Sequence, residues 1–391
     1  MESVQQTWSP VAASERYIAL DLLRGFALFG VLLVNLLYFF RISLFEHILH
    51  FHTHDGRANH AIDWLAAEFL EFKAIDLFTL AFGIGLAVQA ERAGLRGVRV
   101  ELFLVRRLLI LLAFGAAHML LVANVDILAL YAVCGLVAIP LLRLPTVVLA
   151  LGGLAAIYMP SVFAGWPSDS AVVQSYAEEA ARVYRSGSFS AILEFRWRET
   201  RDLIVILLAC VAQKTLGLML LGAAVWRIGV IREPRRYRSW LLAICLAAGV
   251  IGIVNTTSEV LSRTQGKPVH MTPALEALGS DVPLAFAYAA ALLAWRRSER
   301  AASITAPFAA AGRMALTNYL SQSIVFTLIF YGYGFGLFGR LDPTETVAIG
   351  LAFYAAQLWF SVWWLKRYRF GPFEWVWRSL TYGRAQRLNT V

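Results

Sequence analysis

Residues 16–40 read RYIALDLLRGFALFGVLLVNLLYFF. The run is apolar over enough length to cross a bilayer as one helix, for which about 20 residues suffice. It also carries Asp21, Arg24 and Asn35, which a plain lipid anchor would avoid. Asp21 and Arg24 stand three apart, so they share a helical face and can pair. Asn35 follows Arg24 by about three turns and returns to roughly the same face. A charge pair and an amide aligned inside an apolar helix must face protein or a water-filled cavity. They are either a membrane-entry pair with a packing amide, since polar residues also glue helices together, or part of a functional track.

The same composition extends along the chain. Of 391 residues, 59% are hydrophobic and 16% charged, against about 45–50% and about 25% in globular proteins. The expected fold class is therefore all-α, a polytopic integral membrane helical bundle. About ten apolar stretches are long enough to count as spans: 17–40, 74–90, 102–122, 124–142, 145–165, 203–226, 239–258, 281–295, 308–330 and 345–365. Arginine alternates between their connections: Arg92, Arg96, Arg99, Arg106 and Arg107, then Arg227, Arg232, Arg235, Arg236 and Arg238, then Arg296, Arg297 and Arg300, fall on one side with the C-terminal tail. By the positive-inside rule that side is cytoplasmic and both termini are inside. The net charge of +9 is read as this bias, not as a nucleic-acid footprint. The partners expected are the lipid bilayer and a small-molecule, glycan or lipid acceptor, with no nucleic acid; oligomeric state is open, a homodimer being one option.

The chain divides into a cytoplasmic tail (1–16), an N-terminal membrane part (17–142) with a His-rich external loop (41–60), and a C-terminal membrane part (143–391) ending in a cytoplasmic tail (366–391). Residues 61–73 and 171–199 read as amphipathic surface helices. The first apolar run is too long for a signal-peptide core and lacks a small-residue cleavage site, so it is expected to stay in the mature chain. Cys134, Cys210 and Cys245 lie in apolar runs without metal or disulfide spacing.

Intramembrane polar residues are the functional candidates. An outer layer is expected to hold Asn35, the loop histidines His47, His50, His52, His54 and His60, Glu71, Lys73, Asp76, His118, Asn124 and Asp126. An inner layer holds Asp21, Arg24, Gln213, Lys214, Arg313, Asn318 and Gln322. A tight turn would bring His118 to Asp126, either as a carboxylate-held general base or as a helix-hairpin cap. Lys214 must pair or lose its proton, with Asp21, Asp76 or Asp126 as partner; with Arg313 and Asn318 it binds an anionic group or specifies helix register. The loop histidines suit zinc or copper ligation as well as a solvated loop, and no second cluster supports a metal. Asn35, His118 and Asp126 are expected around one outward pocket.

Six stretches together resemble the YeiB-like bacterial membrane proteins of domain of unknown function 418: LDLLRGFALFGVLLVN (20–35), FKAIDLFTLAFGIGLAVQ (72–89), VDILALYAVCGL (125–136), LGLMLLGAAVWRIG (216–229), GRMALTNYLSQSIV (312–325) and GPFEWVWRSLTYG (371–383). The first third is also similar to membrane acyltransferases of the heparan-glucosaminide N-acetyltransferase and acyltransferase-3 types. That similarity implies an inner-membrane enzyme moving an acetyl or acyl group from cytoplasmic coenzyme A to an extracytoplasmic acceptor, with acyl-CoA as co-substrate and no tightly bound cofactor. It would make Arg24, Lys214, Arg313 and Asn318 donor-binding, Asn35 a donor to the acyl oxygen, and His47 or His118 (beside Asp126) the base. The acyltransferase-3 pattern has a His where this chain has Asn35, and the N-acetyltransferase pattern would put its His one residue before His47. A transporter or flippase lined by the same residues is the alternative, and a non-catalytic membrane subunit a second one.

Overall fold

Helix α1, Ile18–Asn35, runs on through a π-helical turn, Leu36–Phe40, and forms the centre of the molecule. The computed structural model describes residues 17–49, 56–123, 126–159, 170–265, 279, 281–295 and 299–389. Among these, every regular element is helical. After α1 come a short α2 (Leu44–Leu49), α3 (Arg57–Phe69), α4 (Lys73–Leu95), α5 (Val100–Leu121), α6 (Ile127–Leu141) and α7 (Thr146–Tyr158). Two connecting helices, α8 (Ser170–Ser186) and α9 (Phe189–Glu199), lead through a π turn (Thr200–Ile204) into α10 (Val205–Ile228). Then follow α11 (Arg238–Gln265), α12 (Asp281–Trp295), α13 (Glu299–Arg313), α14 (Ala315–Phe330), α15 (Pro343–Leu365) and α16 (Pro372–Tyr382).

Helix α1 packs chiefly on α4 and α13, and α4 in turn on α10 and α12; α5 pairs with α6 and α11 with α12. Glycine makes two of the tightest crossings. A Cβ on Gly25 would strike the Phe308 carbonyl oxygen of α13, and one on Gly312 the Asp21 carbonyl oxygen of α1. Gly83 and Gly222 do the same between α4 and α10, meeting the Met219 and Leu80 carbonyl oxygens. Close backbone approach at small residues is how helices associate where burial of apolar surface offers no gain over lipid.

Among the described residues, four helical stretches are long and apolar enough to cross a membrane: Ile18–Phe40, Leu208–Ile228, Arg238–Thr264 and Pro343–Leu365. Shorter apolar helices are α6, α7, α12 and α14. Helices α11 and α15 turn Trp240, Leu246, Val250 and Trp359 outward. Apolar surface that extensive marks a membrane-associated protein rather than one bathed in water.

Two expected elements are interrupted. The stretch 308–330 is not one helix but breaks at Met314, because the Glu374 side chain from α16 takes the first backbone donors of α14. The stretch 171–199 breaks at Gly187, where the Ser188 hydroxyl caps α9 by accepting from Ala191 N. The amphipathic segment placed at 61–73 is α3, ending at Phe69, followed by a turn. His50, His52, His54 and Asn124 lie outside the described residues.

Candidate functional site

The C-terminal end of α1 and the N-terminal ends of α4 and α10 surround a cavity of about 670 Å³. Asn35 and Tyr38 enter it from the end of α1, His47 from α2, Glu71 from the α3–α4 turn, Asp76 from α4, Lys214 from α10, Arg263 from α11 and Tyr319 from α14. The π turn after Asn35 widens the helix where these groups meet; such bulges recur at functional sites. His47 is set by a short helix whose first turn is capped by Ser43, its hydroxyl accepting from Glu46 N at 3.1 Å. The His47 Nε2 lies 3.0 Å from Glu71 Oε1, and its ring stacks on Tyr38 with centroids 3.8 Å apart. On the other carboxylate oxygen of Glu71 stands Arg263, Nη1 to Oε2 3.5 Å.

Glu71 is held in place by a strained turn. Phe72 has φ 59°, a left-handed backbone that a bulky residue adopts only when the surroundings enforce it. Burial pushes the Glu71 carboxyl up, but the hydrogen bond from His47, with the charges of Arg263 and Lys73, outweighs it and leaves the group below its ordinary value of 4.5. Deeper in, Lys214 Nζ sits 3.1 Å from Asp76 Oδ2 and 2.8 Å from Asp281 Oδ2. Two carboxylates share this partly buried ammonium and offset the cost of taking it out of water.

A second cavity, about 210 Å³, lies at the opposite ends of α1 and α4. Asp21 and Arg24 come from the start of α1, Arg92 from the end of α4, Arg107 from the start of α5, Arg313 from α13, and Glu374 and Arg378 from α16. Five arginines against two carboxylates leave a surplus of three positive charges (5 − 2). Arg24 Nη1 is 3.7 Å from Asp21 Oδ1, and Gly85 leaves the space its guanidinium fills. The Arg107 guanidinium lies over the Trp377 ring, 3.6 Å from its centroid, while Trp377 Nε1 donates to the Arg107 carbonyl at 2.9 Å. Glu374 is occupied: it accepts from Leu316 N (2.7 Å), Thr317 N (3.1 Å) and Thr317 Oγ1 (2.5 Å). Tyr319 lines this cavity as well as the first.

Asn35, His118 and Asp126 do not share a pocket. His118 Nδ1 does stand 2.7 Å from Asp126 Oδ2, but the two residues are 3% and 0% exposed and line neither cavity. Asp126 is used locally, its Oδ1 capping α6 by accepting from Ala129 N at 2.6 Å. Gly115 allows the start of α6 to press so closely on α5 that a Cβ there would strike Ala129 N, which leaves no room for a ligand. The pair instead backs Tyr319, whose ring centroid is 5.2 Å from that of His118. Lys214, expected in the inner layer with Arg24 and Arg313, faces the Asn35 cavity, and its partners are Asp76 and Asp281. Asn318 lines neither cavity; its amide donates to Ala311 O and Ser361 Oγ, both at 3.0 Å, and ties α14 to α13 and α15. Arg313 does line the arginine-side cavity, with Nη2 donating to Arg369 O at 2.8 Å.

Sequence reading did not pair Glu71 with His47, used Arg107, Arg263 and Arg378 only as topology signals, and proposed no role for Tyr319 or Glu374. For the last two a signal existed: they stand four apart in the 371–383 motif, on one helical face.

Residues 225–384 match the family model described as "Protein of unknown function (DUF418)". The chain is 34% identical to "Uncharacterized protein YxaH" of Bacillus subtilis (strain 168), over 95% of this chain and 96% of the relative. It is 29% identical to "Uncharacterized protein YeiB" of Escherichia coli (strain K12), over 94% and 96%. A protein of Bacillus acidopullulyticus, "Uncharacterized 39.9 kDa protein in amylase 3'region", is 27% identical over 96% of each chain. No solved structure matches. With alignments that run nearly end to end, the chain belongs to the YeiB-like DUF418 family.

Proposed function

We propose that this protein crosses the bacterial inner membrane with about ten helices, both termini in the cytoplasm, and transfers an acyl group from a cytoplasmic coenzyme A thioester to an acceptor on the other side. The arginine-side cavity takes the anionic donor. Its surplus of three positive charges (5 − 2) suits phosphates, and arginine binds them in a fork. Its volume of about 210 Å³ suits the narrow thioester arm, with the nucleotide end outside. The cavity of about 670 Å³, on the side of the His47–Glu71 dyad, takes the acceptor. The observation that carries the reading is Tyr319, a single side chain with one cavity on each side of it. The break between α13 and α14, which a transporter would offer to its substrate, is filled by Glu374 of the chain itself.

With Nε2–H donating to Glu71, His47 carries its lone pair on Nδ1. That nitrogen takes the acceptor's hydroxyl proton as the oxygen bonds to the thioester carbonyl carbon. The carbon–sulfur bond then breaks, and the departing thiolate takes back the proton from His47 to leave coenzyme A as the free thiol. The Asn35 amide donates to the carbonyl oxygen as its charge develops.

The test uses the purified full chain in nanodiscs, radiolabelled acetyl-CoA and a bacterial membrane extract as acceptor source. Label should pass into the extract, and His47→Ala should slow transfer by about a hundredfold or more, the usual loss for a general base. Arg107→Ala with Arg378→Ala should weaken acetyl-CoA binding. Absence of coenzyme A binding to the wild type would overturn the acyl-transfer reading and favour transport.

A further inference from the structure

The acceptor's chemistry follows from what the dyad-side cavity leaves exposed. Most of its wall is hydrocarbon: Val31 and Val34 of α1, Ile75 of α4, Leu130 of α6, Leu208 and Val211 of α10. Most of its charged groups are already committed. Glu71 is taken by His47 and Arg263, and Lys214 by Asp76 and Asp281. A ligand therefore meets apolar surface over most of its length. One polar atom stands apart. The Tyr38 hydroxyl is buried and has no hydrogen-bond partner among the described residues, yet its ring stacks on His47 beside the dyad. A buried hydroxyl left unmatched costs free energy until something pairs with it.

The charge balance narrows the head group further. Three carboxylates (Glu71, Asp76, Asp281) face two permanent cations (Lys214, Arg263). Behind them Lys73 and Glu259 add one charge of each sign. The surplus is negative, so an anionic head is repelled. An amine would be held as its ammonium, which is not nucleophilic. A neutral alcohol meets neither obstacle.

Resting on the acyl-transfer reading, we infer that the acceptor is a long-chain amphiphile with an uncharged hydroxyl head. Its chain lies along α4 and α10, and its hydroxyl sits at the edge of the Tyr38–His47 stack, within reach of Tyr38 Oη and His47. The inference names the chemistry only: a hydrocarbon chain ending in a neutral alcohol, whatever larger molecule carries it.

The test needs no donor. Nanodiscs holding the full chain are irradiated with hexadecanol bearing a diazirine midway along its chain, or with the matching hexadecanoate, and the labelled peptides are mapped. The alcohol should label residues 75–79 and 208–215, the carboxylate several-fold less. Val211→Trp, or Leu208→Trp if the first variant fails to fold, should remove most of that labelling. Tyr38→Phe should reduce it without lowering the melting temperature. Labelling spread over the outward faces of α11 and α15 and indifferent to the tryptophan would overturn the inference, as would equal labelling by the carboxylate. Labelling as expected without acetyl transfer would keep the site and discard the acyl-transfer reading. Transfer to short water-soluble alcohols without labelling would do the reverse.

Discussion

Glu71 is the residue on which the dyad turns, and its titration gives a direct test. Its carboxyl lies below the ordinary value of 4.5 in the folded protein. Its contribution to stability is therefore fully present above about pH 4.5 and is lost as pH falls through the lower folded value. Melting temperature should drop more steeply below pH 4.5 in the wild type than in Glu71→Gln; parallel curves would remove Glu71 from the dyad's electrostatics. The strained neighbour provides a second test. Phe72→Gly and Phe72→Ala both delete the ring, but only glycine adopts a positive φ without penalty. The glycine variant should be the more stable by about 1 kcal/mol, and identical melting temperatures would contradict the strained turn. At this scale the sequence is legible only where partners are local. Asp21 and Arg24, three apart on one helix, can be paired from spacing alone. His47 and Glu71 cannot, because α3 and a turn stand between them and their meeting depends on how that hairpin folds back.

Among the elements, α16 is the one whose attachment decides the shape of the arginine-side cavity. Glu374→Ala would leave two backbone N–H groups and the Thr317 hydroxyl without their acceptor. Each buried unmet donor costs about 1–3 kcal/mol. The variant should melt lower and expose 366–384 to protease; unchanged melting and cleavage would mean that α16 is held elsewhere. Gly83→Leu should likewise force α4 from α10, at about 1–3 kcal/mol or more for overpacking. Helix positions were legible because long apolar runs bounded by arginine and proline leave few alternatives. The break at Met314 was not, because its cause is a carboxylate far along the chain, and the local sequence GRMALTNYLSQS reads as unbroken helix.

Across the whole molecule, the two cavities draw on opposite ends of α1 and α4, and arginine gathers at one of them. A reporter active only outside the cytoplasm, fused after Tyr382, should stay silent; a strong signal would reverse the assignment of the two sides. The expected layers of polar residues foreshadowed two sites but set Lys214 in the inner one and turned His118 toward a pocket that it does not line. Depth along a helix can be counted in sequence, whereas facing depends on which neighbours pack, and no spacing rule supplies that. The proposed transfer past Tyr319 is vectorial. It is measured most directly in sealed proteoliposomes with the arginine side inward, labelled acetyl-CoA trapped inside and a long-chain alcohol in the outer leaflet. The account predicts acetylated alcohol while the donor stays inside, with the product lost in His47→Ala and retained by folded His118→Ala. Product that forms only when donor and acceptor share a side, or that survives His47→Ala, would contradict it.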